Sequence, residues 1–360
     1  MSSPPDGRPA MSMPVSIALL GAGLIGRRHA ELILAEPEAR LHAIVDPSEG
    51  GRAYAEAKGL RWFPTPEAML AAGKPDGVLV ATPNALHVEH GLLAISAGLP
   101  VLVEKPLAAD LAGARQLVQA AAKAGLPLLT GHHRRHNPLI ARAKAMIEAG
   151  RLGRIVSVHG FFWLLKPDSY FDVEWRRQPG AGPVLINLSH DIDLLRHLCG
   201  EIVEVRAMQN NAVRGFPVDE TSVVLLRFAS GALGTVNISD TITAPWSWEQ
   251  GAAENPVYPP ARQNCYFIGG TEASLAIPRL ELWRNEGRRG WWEPLVAEQH
   301  VAPPADPLPL QIRQFVRVIR GVEEPLVPGL EGMRTMAVID AVRRAAASGE
   351  AVRLDEGAGA

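Results

Sequence analysis

The chain has 360 residues, 47% hydrophobic and 21% charged, which is enough apolar material for about two domains and too much for a disordered polypeptide. Its 36 basic and 38 acidic residues give a formal net charge of −2, without the basic surplus of a nucleic-acid-binding protein, and no apolar run approaches the ~20 residues of a membrane span. Two cysteines, Cys199 and Cys265, can build neither a disulfide framework nor a paired metal motif, which fits a reducing, cytoplasmic setting.

Residues 1–13 are polar and proline-rich, with no basic segment leading into an apolar one, and read as a disordered tail rather than a signal peptide. From 14 to 131, apolar runs at 14–21, 41–46, 76–82, 99–104 and 126–131 alternate with helical patterns at 24–36, 49–58, 84–97 and 108–124. Near-continuous apolar strands separated by helices are covered on both faces. The expectation is an α/β domain, a doubly wound parallel Rossmann sheet over 14–131. Beyond it the texture changes. A helix at 137–149, a long strand at 155–165 and a helix at 184–198 precede strand-like runs at 202–209, 219–229 and 232–239. Strands that follow one another without helices favour antiparallel pairing, so 132–360 reads as an α+β domain with a large, mostly antiparallel open sheet. A loop at 243–262 carries Trp246 and Trp248; loops of that length serve function or pack against another subunit. Helices return at 308–320 and 331–347.

The run Gly21-Ala-Gly23-Leu24-Ile25-Gly26 follows a strand and opens a helix. Gly21 permits the tight turn, Gly23 the close approach of backbone to a pyrophosphate, and Gly26 close packing of helix on strand. Asp46 ends the second strand, 20 residues after Gly26, where a carboxylate accepts ribose hydroxyls and repels a 2′-phosphate. The expected cofactor is NAD, ahead of NADP. Tyr54 and Lys58 imitate the Tyr-x-x-x-Lys pair of short-chain dehydrogenases, but they fall on the helix after Asp46, far from any nicotinamide, and read as a surface turn.

Ligands of open parallel sheets bind beyond the carboxyl ends of the strands. Those ends carry Ala81-Thr82-Pro-Asn84-Ala-Leu-His87 and Glu104-Lys105-Pro106, the expected cofactor edge. An ammonium such as that of Lys105 is costly to bury without a partner or a purpose. Downstream, the glycine-rich lead Gly180-Ala-Gly182 runs into a segment that places Asn187 and His190 three apart on one helix face, with Asp193 a turn further.

These residues together resemble the Gfo/Idh/MocA oxidoreductases. The resemblance rests on GAGLIG, ATPNALH (81–87), EKP (104–106), GHHRRHNP (131–138), Trp175-Arg176, His190-Asp-Ile-Asp193 and SGALGTV (230–236), and it covers nearly the whole chain. It implies a Rossmann domain followed by an α+β domain whose open sheet mediates a homodimer or homotetramer. It also implies a catalytic Lys105 beside the nicotinamide and a general acid/base at His190, for which an ordinary pKa near ~6.5 is suited. The family's Asp four residues before the histidine is Ile186 here. Asn187 is its polar neighbour, able to orient substrate or Lys105 but not to take a proton, so the base is left open between His190 and Lys105.

In the run His132-His133-Arg134-Arg135-His136, the arginines disfavour a metal, and none is expected; the run lines the cleft instead, with His132 best placed for substrate. Trp163, Tyr170 and Trp175 either wall a substrate ring or pack as core. Arg176 meets cofactor phosphate, substrate or a carboxylate, and Asp193 holds a substrate hydroxyl or a helix-surface ion pair. The resulting expectation is an NAD-dependent dehydrogenase acting on a secondary hydroxyl or ketone of a sugar, cyclitol or sugar derivative. The rival readings are a dihydrodiol-type dehydrogenase, a redox-neutral enzyme that retains NAD, and an NAD(H)-sensing protein.

Overall fold

The computed structural model describes residues 13–303 and 305–354; the expected tail, apart from Met13, lies outside the described residues. The first half is a βα alternation: β1 (Val15–Leu20), α1 (Leu24–Ala35), β2 (Ala39–Val45), α2 (Glu49–Ala57), β3 (Trp62–Phe63), α3 (Pro66–Ala72), β4 (Gly77–Val80), α4 (His87–Ser96), β5 (Val101–Val103), α5 (Leu111–Ala124) and β6 (Leu128–Thr130). Polar caps start several helices: Ser48 accepts from Gly51 N, Thr65 from Ala68 N and Asp110 from Gly113 N. The six strands are all parallel, in the order β3-β2-β1-β4-β5-β6. Connections reverse direction between β1 and β4, and the crevice at that switch point is where a dinucleotide lies. The short β3 and α3, with only two strand residues and seven helical ones, are additions to the sequence reading.

The second half contains α6 (Pro138–Glu148), β7 (Ile155–Trp163), α7 (Pro183–Ile186), α8 (Leu188–Cys199), β8 (Ile202–Asn210), β9 (Thr221–Phe228), β10 (Leu233–Ser239), α9 (Trp248–Gly251), β11 (Tyr266–Gly270), β12 (Ser274–Ile277), β13 (Glu281–Asn285), β14 (Leu295–Gln299), α10 (Pro307–Ile319), α11 (Gly329–Ser348) and β15 (Val352–Arg353). Its nine-stranded sheet runs β14-β13-β12-β11-β7-β10-β9-β8-β15, antiparallel except for the β7–β10 pair. One face packs on helices, with Val158, Phe162, Val224, Ile238 and Tyr266 against Ile192, Leu195, Val338 and Val342. The other face is open, and Leu225, Leu233, Phe267 and Trp283 are 42–52% exposed on it.

The C-terminal helices return to the first domain. Ile312, Phe315 and Val316 of α10 pack with Ile17, Leu19 and Ile33, while Met333 of α11 joins Leu117 and Val103 on the other side of the Rossmann sheet. The two C-terminal helices thus share the cores of the first half of the chain. The single helix expected over 184–198 is broken at Asn187 (φ −106°, ψ −51°), which ends α7 and precedes α8.

Candidate active site

The glycine loop is shaped by contacts a side chain would destroy. Gly21 sits at φ +91°, and a Cβ there would lie 2.5 Å from the Ala81 carbonyl oxygen; one on Gly26 would lie 2.0 Å from the Gly21 carbonyl oxygen. At Gly23 a Cβ would meet nothing within 4 Å, so space is open at the start of α1, whose N-cap residue supplies no side-chain acceptor. Unsatisfied N–H groups facing open space suit a pyrophosphate. Leu24 and Ile25 stand exposed in the same turn. Asp46 accepts from Ala22 N (2.7 Å) and Ser48 N (2.8 Å). Burial pushes its carboxyl up, but the hydrogen bonds from Ser48 and Ala22 outweigh this and hold it below the ordinary value. An ionised carboxylate at the end of β2 is what adenosine ribose hydroxyls require, so these residues fit NAD. Tyr54 and Lys58 are occupied elsewhere, both reaching Glu31 (3.0 and 2.7 Å).

Two residues expected to line the cofactor are braces instead. The ring nitrogens of His87 lie 2.9 Å from the Thr82 carbonyl and 2.8 Å from that of Pro106, so this buried ring ties the β4 and β5 loops together and has no nitrogen left for a ligand. Glu104 is 2.6 Å from Nε2 of the fully buried His29 on α1, and its other oxygen accepts from Lys105 N (3.0 Å). Burial pushes the Glu104 carboxyl up, yet His29 outweighs burial and brings it down to about 2. His29 gave no signal in the sequence beyond following Gly26 by three residues. Thr82 is shared with His90 (3.1 Å), Ala81 backs the glycine turn, and Asn84 is exposed beside them.

Lys105 crosses to the second domain: its Nζ donates to the Ile186 carbonyl at 3.3 Å. The backbone thus offers an acceptor at the position where the resemblance led one to expect a carboxylate. Burial first, then the charges of Arg134 and Lys166 against those of Glu104 and Glu249, lowers the Lys105 ammonium below its ordinary value. His190 projects from the first turn of α8. His133 stands 5.3 Å from it and His132 6.1 Å, centroid to centroid, both edge-on. Nδ1 of His190 is buried without a partner, as is Nδ1 of His132, leaving Nε2 of His190 as the open nitrogen. Burial, followed by Lys105 and Arg134, pushes His190 well below its ordinary value; burial takes His132 to about 4 and His133 to about 3. At neutral pH these rings are uncharged and able to accept protons. Asn187, set at the break between α7 and α8, leaves its Oδ1 unpartnered.

Other expected substrate residues are placed differently. Asp193 is 1% exposed and its two oxygens take Arg135 at 2.7 and 2.9 Å, so the ion pair is buried, not on a helix surface, and the carboxylate is already filled. Trp163 lies on the open face of the sheet, because Phe162 is the residue of that pair that faces α8; its Nε1 donates to Asn237 (2.9 Å). Tyr170 and Arg176 hold each other, the guanidinium lying 4.1 Å from the ring centre and donating to the Tyr170 carbonyl at 2.9 Å. Trp175 is 55% exposed. A cavity of about 270 Å³ is bounded by Asn84, Pro106, His132, Leu185, Ser189 and Thr335, and none of Trp163, Tyr170, Trp175 and Arg176 lines it. A larger hollow of about 450 Å³, around His159, Phe267 and Trp283, lies on the open sheet face and touches none of the expected site residues.

Behind His190 is a buried cluster that sequence reasoning did not assemble. Arg134 pairs with Glu249 at 2.6 Å and lies 3.6 Å from Glu254 and 3.7 Å from Asp191, while Tyr266 donates to Asp191. The long loop supplies Glu249, Glu254 and the fully buried Trp248, so it folds into the site from behind.

Residues 15–132 match the profile of the oxidoreductase family, NAD-binding Rossmann fold, and residues 140–276 match the GFO/IDH/MocA C-terminal domain. The chain belongs to the Gfo/Idh/MocA family and is an NAD-binding oxidoreductase. It is 29% identical to the 1,5-anhydro-D-fructose reductase of Ensifer adhaerens over 94% of this chain and 98% of that one. With the scyllo-inositol 2-dehydrogenase (NAD(+)) of Bacillus subtilis it shares 30% identity over 64% and 69%. Among solved structures, the WlbA dehydrogenase of Bordetella pertussis, in complex with NADH and UDP-GlcNAcA, superposes with a TM-score of 0.78 at 26% identity, covering 95% of this chain and 99% of that one.

Proposed function

We propose that the protein is an NAD-dependent dehydrogenase that interconverts a secondary hydroxyl and the matching ketone of a sugar, cyclitol or sugar derivative. The observation that carries this is the convergence, across the domain boundary, of Lys105 from the β5 loop, held by the Ile186 carbonyl, with an uncharged His190 whose open nitrogen can take a proton. When bound, NAD supplies the hydride acceptor. His190 accepts the hydroxyl proton during oxidation and returns it during reduction, and Lys105 donates a hydrogen bond to the reacting oxygen, stabilising negative charge on it. Asn187, at the break before α8, and His132, on the wall of the cavity shared with Ser189 and Pro106, contact other substrate hydroxyls. Relatives acting on anhydrofructose and inositols support the substrate class.

Calorimetry with NADH and NADPH, then reduced-nicotinamide absorbance against a polyol and sugar panel, tests the reading. NADH preference with turnover lost in both Lys105→Ala and His190→Ala is expected; turnover that persists in both variants overturns the catalytic assignment. The half-exposed apolar side chains of the open sheet face support assembly of copies through that face, which light scattering reads as a dimer or tetramer against a monomer. Two buried free cysteines support a cytoplasmic location.

A further inference from the structure

Salt-bridging one buried arginine calls for one carboxylate, and Glu249 at 2.6 Å already meets Arg134. The fold nevertheless places two more acids on the same guanidinium, Glu254 from the long loop and Asp191 from α8, in a space sealed by Trp248 and Tyr266. Surplus buried carboxylates are expensive unless protonated or put to use. Asp191 is 1% exposed, adjoins His190 in sequence, accepts from Tyr266 with one oxygen and leaves the other without a partner. The groups facing it are Tyr266 and Cys265 from β11 and its approach, Arg134 from the turn after β6 and Glu249 from α9. Those acting on His190 are Lys105, Arg134, His133 and His132. Arg134 is common to both sets.

We propose that Asp191, braced by Tyr266 and facing Arg134, is a positioning residue for proton transfer: its charge, acting beside the Arg134 guanidinium, sets how readily His190 takes a proton. This rests on His190 being the group that exchanges the substrate proton. Burial pushes the Asp191 carboxyl up to about 7 against the pull of Arg134, so its charge changes within the working range of pH. When Asp191 ionises, the potential at His190 becomes more negative, the imidazolium formed during alcohol oxidation is stabilised, and oxidation speeds up.

The test is the pH profile of kcat/KM for alcohol oxidation, with NADH affinity measured alongside. Asp191→Asn is expected to match the wild type at low pH, where Asp191 carries no charge, and to fall about tenfold behind at pH 9, where it does. Tyr266→Phe removes a donor to the ionised carboxylate and moves the wild-type limb to higher pH. Should Asp191→Asn lose NADH binding through misfolding, Tyr266→Phe decides alone. Variants that bind NADH normally and keep the wild-type profile overturn the inference. A His190→Ala enzyme that still turns over overturns the underlying assignment instead, so the two failures are distinguishable.

Discussion

Replacing Glu104 by Gln keeps the shape and the acceptor oxygen of the side chain while removing its charge from beside His29 and the Lys105 amide. A carboxyl with a lowered folded-state pKa adds stability above its unfolded value and loses it as pH falls toward the folded one. With the group at about 2 in the fold and at the ordinary 4.5 in the unfolded chain, its contribution is about 3 kcal/mol at pH 7 and at pH 4.5, and about 2 kcal/mol at pH 3.5. Urea unfolding of wild type and Glu104→Gln at these three pH values should show a gap of that size that narrows only below pH 4.5. Equal stabilities at neutral pH, or a gap that stays constant down to pH 3.5, would refute the argument that the buried pairing with His29 holds Glu104 ionised. The same variant should lower kcat, because Glu104 also favours the charged form of Lys105 and fixes the backbone that carries it.

Gly26→Ala forces a Cβ to within 2.0 Å of the Gly21 carbonyl oxygen, so the loop must open; calorimetry should show NADH affinity down by tenfold or more, with a lowered Tm. Asp46→Ala removes the carboxylate that repels a 2′-phosphate, and the ratio of NADH to NADPH affinity should fall by about tenfold or more. Asp193→Asn leaves Arg135 buried with Glu331, 3.0 Å away, as its one charged partner among the described residues, at an expected cost of about 3–5 kcal/mol in urea unfolding. Because His190 is held well below its ordinary value, the histidine limb of the oxidation profile should fall below pH ~6.5, the turnover lost on protonation being lost only in more acidic solution.

Local features were legible because they depend on residues near one another in the chain. The strand–Gly21–Gly26–helix unit and Asp46 are one βαβ element, and the Rossmann alternation follows from apolar runs buried on both faces. Lys105 stood out as a lysine at a strand end, whereas its role and that of His190 came from the resemblance to the Gfo/Idh/MocA family. What could not be read was occupancy. His87, Glu104 and Asp193 have the side chains of ligand-binding residues, yet each spends its polar atoms on a partner brought by packing: the carbonyls of Thr82 and Pro106, His29 with the Lys105 amide, and Arg135. Trp163 was lost to a one-residue alternation, since strand period alone does not say which face meets the helices.

The sequence by itself thus determined the parallel sheet and the strand–glycine turn–helix unit, and it supplied the residues proposed for the cofactor and the chemistry. Tertiary structure alone decided that α10 and α11 return to the Rossmann sheet, that the Ile186 carbonyl receives Lys105, and that Glu249 and Glu254 reach Arg134 from 115 and 120 residues away. Periodicity records which side chains leave water, whereas the partner each one meets is set by how separate elements pack, and that leaves no local mark on the chain.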